Sequence, residues 1–330
     1  MNPLTINDKI YGKFKITEPV LIELIKSKPV QRLKKIDQHG TQSISRPEFK
    51  IINRFEHSLG VMLLLRKFNA SLEEQIAGLL HDISHTAFSH VVDFVFDDTK
   101  ADNFHERHVH YIIKKSSIPG ILKRYNLTAD YVTDEKNFPL LELPEPNICA
   151  DRLDYFLRDS HICYGFMDQR QLKKISQDLK VINGKWAFVS QSTAKFTAKK
   201  FIYTARHGWY HPQNQMGFII LGKIIKDVLK RKLINKKDLF TDDKIFIKKL
   251  NKLKDQKVNK GLYLLKNFEA KINYKNYDHV GHWKFRAIDP YVLKGNKLIR
   301  LSRLDQDFKK YFNNFKKEIK KGTPMKIVKS

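Results

Sequence analysis

A mainly α-helical fold is predicted, with one small β-hairpin and a smaller α+β region towards the C-terminal end. Three observations carry this. Apolar residues recur at helical spacing over residues 54–68, at Phe55, Leu59, Met62, Leu63, Leu65 and Phe68. Further helical stretches follow around residues 71–82, 148–159, 192–210 and 216–233. Alternating apolar residues flank Asn183-Gly184, a strong short-range hairpin signal. At 330 residues the chain can hold one large domain or two. A boundary is predicted near residues 235–243, separating a helical core (1–235) from an α+β region (236–330).

Residues 1–30 form a lead-in, with a short strand over residues 10–16. A helix then starts with Thr17 as its cap and Pro19 in its first turn. Helical character continues over residues 30–36, and residues 39–49 form a polar loop punctuated by Gly40 and Pro47. Ser71-Leu72-Glu73-Glu74 has the capping-box pattern. The helix it opens carries Ile76, Ala77, Leu79 and Leu80 into His81-Asp82 and is apolar almost all round, so it is buried. Short helices are expected over residues 89–94 and 102–115. In the second, His105 and His108 share a face while His110 points elsewhere. Small helices and loops lead to Leu143-Pro144-Glu145-Pro146, before the helix carrying Asp151, Asp154 and Tyr155. His211-Pro212 ends the helix over 192–210. Lys226, Lys230, Arg231 and Lys232 sit near the C-terminal end of the next helix, where positive charge is favourable. Short helices are expected from 243 to 273, strands over 284–290 and 297–301, a helix over 305–321 and a last short strand.

The net charge of +27 favours polyanions such as nucleotides, nucleic acid or anionic membrane surfaces. The excess is mostly lysine in a chain also rich in Ile and Asn, a bias that AT-rich coding alone produces. Two cysteines, Cys149 and Cys163, cannot build a disulfide framework. With no secretory signal, they imply a reducing, cytoplasmic compartment. No run approaches the roughly 18 apolar residues of a membrane helix.

A buried His81-Asp82 pair at a helix end needs partners, because an unpaired charge in a core is costly. A hydrogen bond within the core meets that need, and so does a metal ion. Imidazole and carboxylate are the ligand types of catalytic first-row divalent metals, where open coordination positions admit water or substrate.

Taken in order, the pieces resemble a known family. They are Asn53-Arg54-Phe55-Glu56-His57-Ser58-Leu59-Gly60, Gly78-Leu79-Leu80-His81-Asp82-Ile83-Ser84-His85, Phe104-His105-Glu106 and Ala150-Asp151-Arg152-Leu153-Asp154-Tyr155. Together they resemble the HD superfamily of metal-dependent phosphohydrolases. Within it the likeness is greatest to the deoxynucleoside triphosphate triphosphohydrolases, the group of bacterial dGTPases and the animal sterile-alpha-motif/HD protein. The resemblance is strong over about residues 31–165 and looser at Trp209-Tyr210-His211 and Arg286-Ala287-Ile288-Asp289-Pro290.

The resemblance implies an HD-domain helical bundle with metal ligands at His57, His81, Asp82 and Asp151. It implies catalytic roles for His85, His90 and His105, with Asp93 beside His90. It places Gln38, Arg54, Arg152, Tyr155, Asp159, Trp209 and His211 around the nucleotide. Arg152 stands where a lysine is usual, and Trp209 where a tyrosine usually packs under the sugar. The implied cofactor is a divalent ion (Fe, Mn, Zn or Mg), with a second Mg accompanying the nucleotide. The implied assembly is a homo-oligomer, dimer or larger.

The activity expected is hydrolysis of a deoxynucleoside triphosphate to deoxynucleoside and inorganic triphosphate. Two alternatives stand beside it. One is a phosphodiesterase or nuclease acting on another nucleotide or on single-stranded nucleic acid. The other is a non-catalytic nucleotide or nucleic-acid binding module. Lys309, Lys310, Lys316, Lys317, Lys320 and Lys321 motivate weak nucleic-acid binding, although such a run is equally a solvated helix face.

Overall fold

In the computed structural model, which describes residues 2–96 and 106–329, the helix Arg54–Lys67 is the central strut. Asn53 caps it in a full capping box: its side chain accepts from the Glu56 amide, and the Glu56 carboxylate accepts from the Asn53 amide. Ten of its residues are buried, because helices cover it on more than one side. Leu72–Leu80 packs along one side and Ala150–Arg158 crosses another. Gly78 permits the first approach, since a Cβ there would lie 2.6 Å from Leu65 Cδ1.

Three large apolar clusters form most of the core, and two of them include residues of this strut. The first joins Val61, Leu64 and Leu65 to Leu153, Phe156, Phe201 and, from the C-terminal region, Ile288, Val292 and Phe308. The second gathers Met62, Leu63, Ile76, Leu79 and Leu80 with the helix Pro19–Lys26. The third is built on the helix Pro212–Lys230, with Phe246 and Leu250 from Asp243–Lys252, Val258 and Leu265 from Gln256–Asn267, and Met325. Residues on both sides of position 235 therefore share cores. The Asn183-Gly184 turn closes the hairpin Leu179–Ile182/Lys185–Phe188 with both residues at positive φ. Its second strand pairs in parallel with Tyr291–Lys294, which pairs in turn with Lys297–Arg300. No helix among the described residues is long and apolar enough to cross a membrane.

Several elements differ from their sequence expectation. The lead-in is an antiparallel hairpin, Leu4–Asp8 with Gly12–Ile16, and Ile10 lies in its turn, where Asp8 accepts the Ile10 and Tyr11 amides. Glu18, not Thr17, occupies the cap position of Pro19–Lys26. The polar loop contains a helical turn, Gln42–Ser45. Ser71 caps as predicted, but Glu74 turns inward and accepts the Leu140 amide at 2.8 Å. Residues 284–290 are extended without being a strand. Their amides find other partners: Arg286 donates to the Tyr210 hydroxyl and Asp289 to the Pro146 carbonyl. The helices after 243 stop at Asn267, and Glu269–Ile272 is a strand in a sheet with Thr323–Lys329 and His279–Gly281. Of the helix expected over 102–115, residues 102–105 lie outside the described residues. The remainder is a turn, Glu106–His108, running into Val109–Lys114.

Candidate active site

The strut and its two neighbours bring His57, His81 and Asp151 together. His57 Nε2 lies 2.9 Å from Asp151 Oδ1 and 3.3 Å from His81 Nε2, and His81 Nε2 lies 3.4 Å from Asp151 Oδ1. The outer nitrogens are already held. His57 Nδ1 is 2.8 Å from Asp154 Oδ2, and His81 Nδ1 is 2.8 Å from the Gly78 carbonyl. Each ring is thus held from outside through Nδ1 and turns its Nε2 towards the other, the arrangement that orients metal-binding imidazoles. Two imidazole nitrogens and a carboxylate facing one point need positive charge between them, carried either by protons on the rings or by a metal ion, and this donor set fits a divalent metal.

Asp82 stands one step back. Its oxygens lie 3.7 Å from His57 Nε2 and 3.5 Å from His81 Nε2, while Arg54 Nη1 at 2.6 Å and His85 Nε2 at 3.1 Å engage the same carboxylate.

The electrostatics follow. Burial alone would depress His57, but hydrogen bonds to Asp151 and Asp154 push it up to about 10. His81 is likewise buried, yet Asp82 and Asp151 push it up to about 8. Burial would raise the carboxyls; instead Arg54, His81 and His85 hold Asp82 well below the usual range, and His57 and His81 do the same for Asp151. Asp82 and Asp151 thus favour positive charge at this point, whether on the imidazoles or on a bound cation.

Asp154 anchors this centre from behind. Arg158 grips it through Nε at 3.0 Å and Nη2 at 2.9 Å, and Arg158 Nη2 also reaches Asp8 Oδ2 at 3.0 Å. The N-terminal hairpin is thereby tied to His57 through two buried ion pairs.

Above the trio a cleft opens, and the structure places most of the expected residues on its wall: Gln38, Arg54, His85, His90, Asp93, Arg152, Tyr155, Asp159 and Trp209. Arg54 Nη2 lies 2.9 Å from His90 Nε2, and His90 Nδ1 lies 3.3 Å from Asp93. Trp209 Nε1 donates to Asp159 Oδ2 at 2.8 Å, and its ring meets Tyr155 edge-on at 5.1 Å. Arg152 lines the cleft, but its donors turn to its own neighbourhood: the Leu143 and Asn147 carbonyls, Cys149 Sγ and Glu142. His211 is not among the wall residues. It caps the helix Pro212–Lys230, its Nδ1 accepting the Gln213 amide, and burial with nearby Arg46 lowers it to about 4. His105 lies outside the described residues, so the structure does not place it. His110 is exposed near Asp130.

Sequence reasoning passed over several wall residues. His39 is buried with Nε2 2.9 Å from Asp159 Oδ2, yet in the chain it is one polar residue in a loop. Lys284 and Arg286 reach the cleft from the extended segment that was expected to be a strand, and Arg286 sits 5.7 Å over the Tyr155 ring. Glu142 is pushed up to about 8 by burial and the adjacent Asp151 charge. Glu142, Cys149 and Asp151 also bring donor atoms within 4.8 Å of one another, but Arg152 already supplies positive charge there.

The fold and this centre define a helical hydrolase built round a His/Asp metal site. Comparison with known proteins agrees. The HD domain family matches residues 54–159. The uncharacterized protein YdhJ of Bacillus subtilis (strain 168) is 37% identical over 331 aligned positions, covering 99% of this chain and all of that one. The metal-dependent phosphohydrolase cns2 of Cordyceps militaris is 40% identical over 194 residues, 59% of this chain and 54% of its own. The deoxynucleoside triphosphate triphosphohydrolase SAMHD1 of Gallus gallus is 27% identical over 205 residues, 47% of this chain and 33% of its own. A crystal structure of a hypothetical protein from Aquifex aeolicus superposes with a TM-score of 0.68 over 93% of each chain at 21% identity, a likeness of fold. The chain belongs to the HD superfamily of metal-dependent phosphohydrolases.

Proposed function

We propose that this phosphohydrolase cleaves deoxynucleoside triphosphates to deoxynucleoside and inorganic triphosphate, and works in the cytoplasm as a homo-oligomer. One observation carries the reading: a single cleft is lined by His81 and Asp151 of the metal-binding trio, by the basic side chains Lys284 and Arg286, by the aromatic rings of Tyr155 and Trp209, and by Asp159. Metal-binding, basic and aromatic surfaces in one cleft suit the metal, triphosphate and nucleoside parts of such a substrate. The relative from Gallus gallus bears the name of this activity.

In this reading His57, His81 and Asp151 hold the ion, with Asp82 completing the set; a second ion, Mg, arrives with the triphosphate. A divalent ion held there would polarise a phosphoryl oxygen and lower the pKa of a bound water. Arg54 fixes Asp82 and His90 at once. His85 and His90, with ring centres 5.1 Å apart, are the proposed donors of a proton to the leaving 5′ oxygen. Asp93 orients His90 through Nδ1. His105 remains in the proposed catalytic set, and Gln38, Arg152, Tyr155, Asp159 and Trp209 remain the proposed surroundings of the nucleotide, while His211, a helix cap off the cleft wall, leaves that set.

A second reading is a phosphodiesterase acting on another nucleotide or on single-stranded nucleic acid. The Trp209–Asp159 bond favours it, because that carboxylate is partly spent before any sugar arrives. The exposed lysines of Gln306–Lys321 would add weak nucleic-acid binding. Incubation of the metal-loaded protein with each dNTP, each NTP and a single-stranded oligonucleotide, with product identification, separates these readings. Triphosphate release supports the first and nucleoside monophosphate the second. A metal-loaded protein that turns over none of them contradicts both.

A further inference from the structure

The loop that carries His85 and His90 is strained. Phe88 and Ser89, neither of them glycine, both have positive φ, 59° and 48°. Consecutive residues in this region persist only where the surroundings over-determine them. The surroundings here come largely from the far C-terminal side. Asp243, partly buried at the start of the helix Asp243–Lys252, accepts the Phe88 amide through Oδ1 at 2.7 Å and the Asp37 amide through Oδ2 at 2.8 Å. The Leu239 carbonyl accepts the Ala87 amide at 2.8 Å. Arg32 completes the clamp, donating to the Thr241 carbonyl and, through Nη2, to the Ile83 and His85 carbonyls.

These contacts lead to the cleft in two steps. The Ser89 hydroxyl donates to the Asp37 carbonyl at 2.5 Å and accepts from Arg54 Nε at 2.9 Å. Arg54 in turn holds Asp82 and touches His90. One carboxylate thus fixes both strands that present Arg54 its partners, Asp37–Gln38 on one side and Phe88–Ser89 on the other. Two backbone N–H donors on separate segments each take one oxygen of the Asp243 carboxyl, whereas an amide side chain offers only one acceptor oxygen.

We propose that Asp243 is a positioning residue for the phosphohydrolase reaction: it clamps the strained 83–90 loop against Asp37 and so sets His85, His90 and Arg54 for catalysis. This rests on the reading of the cleft given above. It also makes the segment from 239 to 243 part of the catalytic apparatus, although it lines none of the cleft.

The test uses the full chain loaded with manganese, as wild type, Asp243→Asn and Arg32→Lys, with the four dNTPs as probes. Asp243→Asn preserves shape but leaves only one acceptor. Arg32→Lys loses the fork to the Ile83 and His85 carbonyls. The expected result for both is a fall in kcat of about 100-fold, the scale of a small misplacement of reacting groups. KM should stay within about twofold and metal content should be unchanged. Hydrogen exchange should rise in peptides spanning 83–90 and hold steady in the helix Arg54–Lys67. Wild-type kcat in either folded variant overturns the proposal, and so does unchanged exchange over 83–90. If wild type itself releases no triphosphate, the dNTP reading fails, and the exchange measurement alone decides whether Asp243 is the clamp. Should Asp243→Asn not fold, Arg32→Lys carries the same two readouts.

Discussion

Gly60 lies one turn beyond His57 on the central helix. A Cβ at this position would fall inside the van der Waals envelope of Arg158 Nη2 and Asp154 Oδ1. Alanine is the better helix former by about 1 kcal/mol, so on propensity alone Gly60→Ala should stabilise the protein. The structure reverses that sign. The intruding methyl separates a fully buried ion pair, and breaking such a pair costs about 3–5 kcal/mol. The net prediction is destabilisation of about 2–4 kcal/mol, read as a fall in Tm of roughly 4–8 °C. Asp154 also holds His57 Nδ1 at 2.8 Å, so metal affinity should fall by about 10–100-fold, the usual loss when the partner of a ligating histidine is displaced. Differential scanning calorimetry and a competitive metal chelator measure the two effects. A Gly60→Ala protein with a raised Tm and wild-type metal affinity would refute the chain of contacts from Arg158 through Asp154 to His57.

Three other outcomes are expected. Trp209→Phe keeps an aromatic ring against Tyr155 and Phe201 but removes the donor to Asp159, so KM for the dNTP should rise about tenfold with kcat little changed; an unchanged KM takes Trp209 off the substrate wall. Stripping the metal from a fully loaded sample should lower Tm, because an ion present at about 100 times its Kd contributes about 2.7 kcal/mol; a Tm indifferent to chelation contradicts a bound ion in the fold. Burial pushes the Asp243 carboxyl up to about 7. Between its ordinary acidic value and that point the native chain keeps a proton that the unfolded chain releases, so this group's stabilising contribution is full at low pH and is lost as pH rises through about 7. Relative to wild type, Asp243→Asn should therefore gain stability as pH rises from about 4 to about 7 and level off above that; a constant Tm difference across that range refutes the assignment.

The parts of the site readable in the sequence are those where a local pattern has one physical meaning. His57 lies within an apolar stripe of helical spacing, so its place on a helix could be read directly, and His81 ends an almost wholly apolar helix. The Asn183-Gly184 hairpin was equally legible, because its turn requires two positive φ values. What stayed hidden depends on distant partners. Glu74 looks like a capping residue until the Leu140 amide, 66 residues away, claims it. Residues 284–290 alternate like a strand, but the structure sets helices and loops beside them and leaves Lys284 and Arg286 at the cleft. His211 sits in a motif-like setting, yet the following proline makes it a helix cap. His39 and Asp243 carry no local signal, since each acquires its role through a carboxylate or an amide far along the chain.

The central claim is that His57, His81, Asp82 and Asp151 hold one divalent ion. Its most direct test is metal content by inductively coupled plasma mass spectrometry after reconstitution, in wild type and in folded His81→Ala and Asp151→Asn proteins. The account predicts about one equivalent per chain in wild type and less than about a tenth in each variant. A full equivalent retained by both variants, or none taken up by wild type, would contradict it.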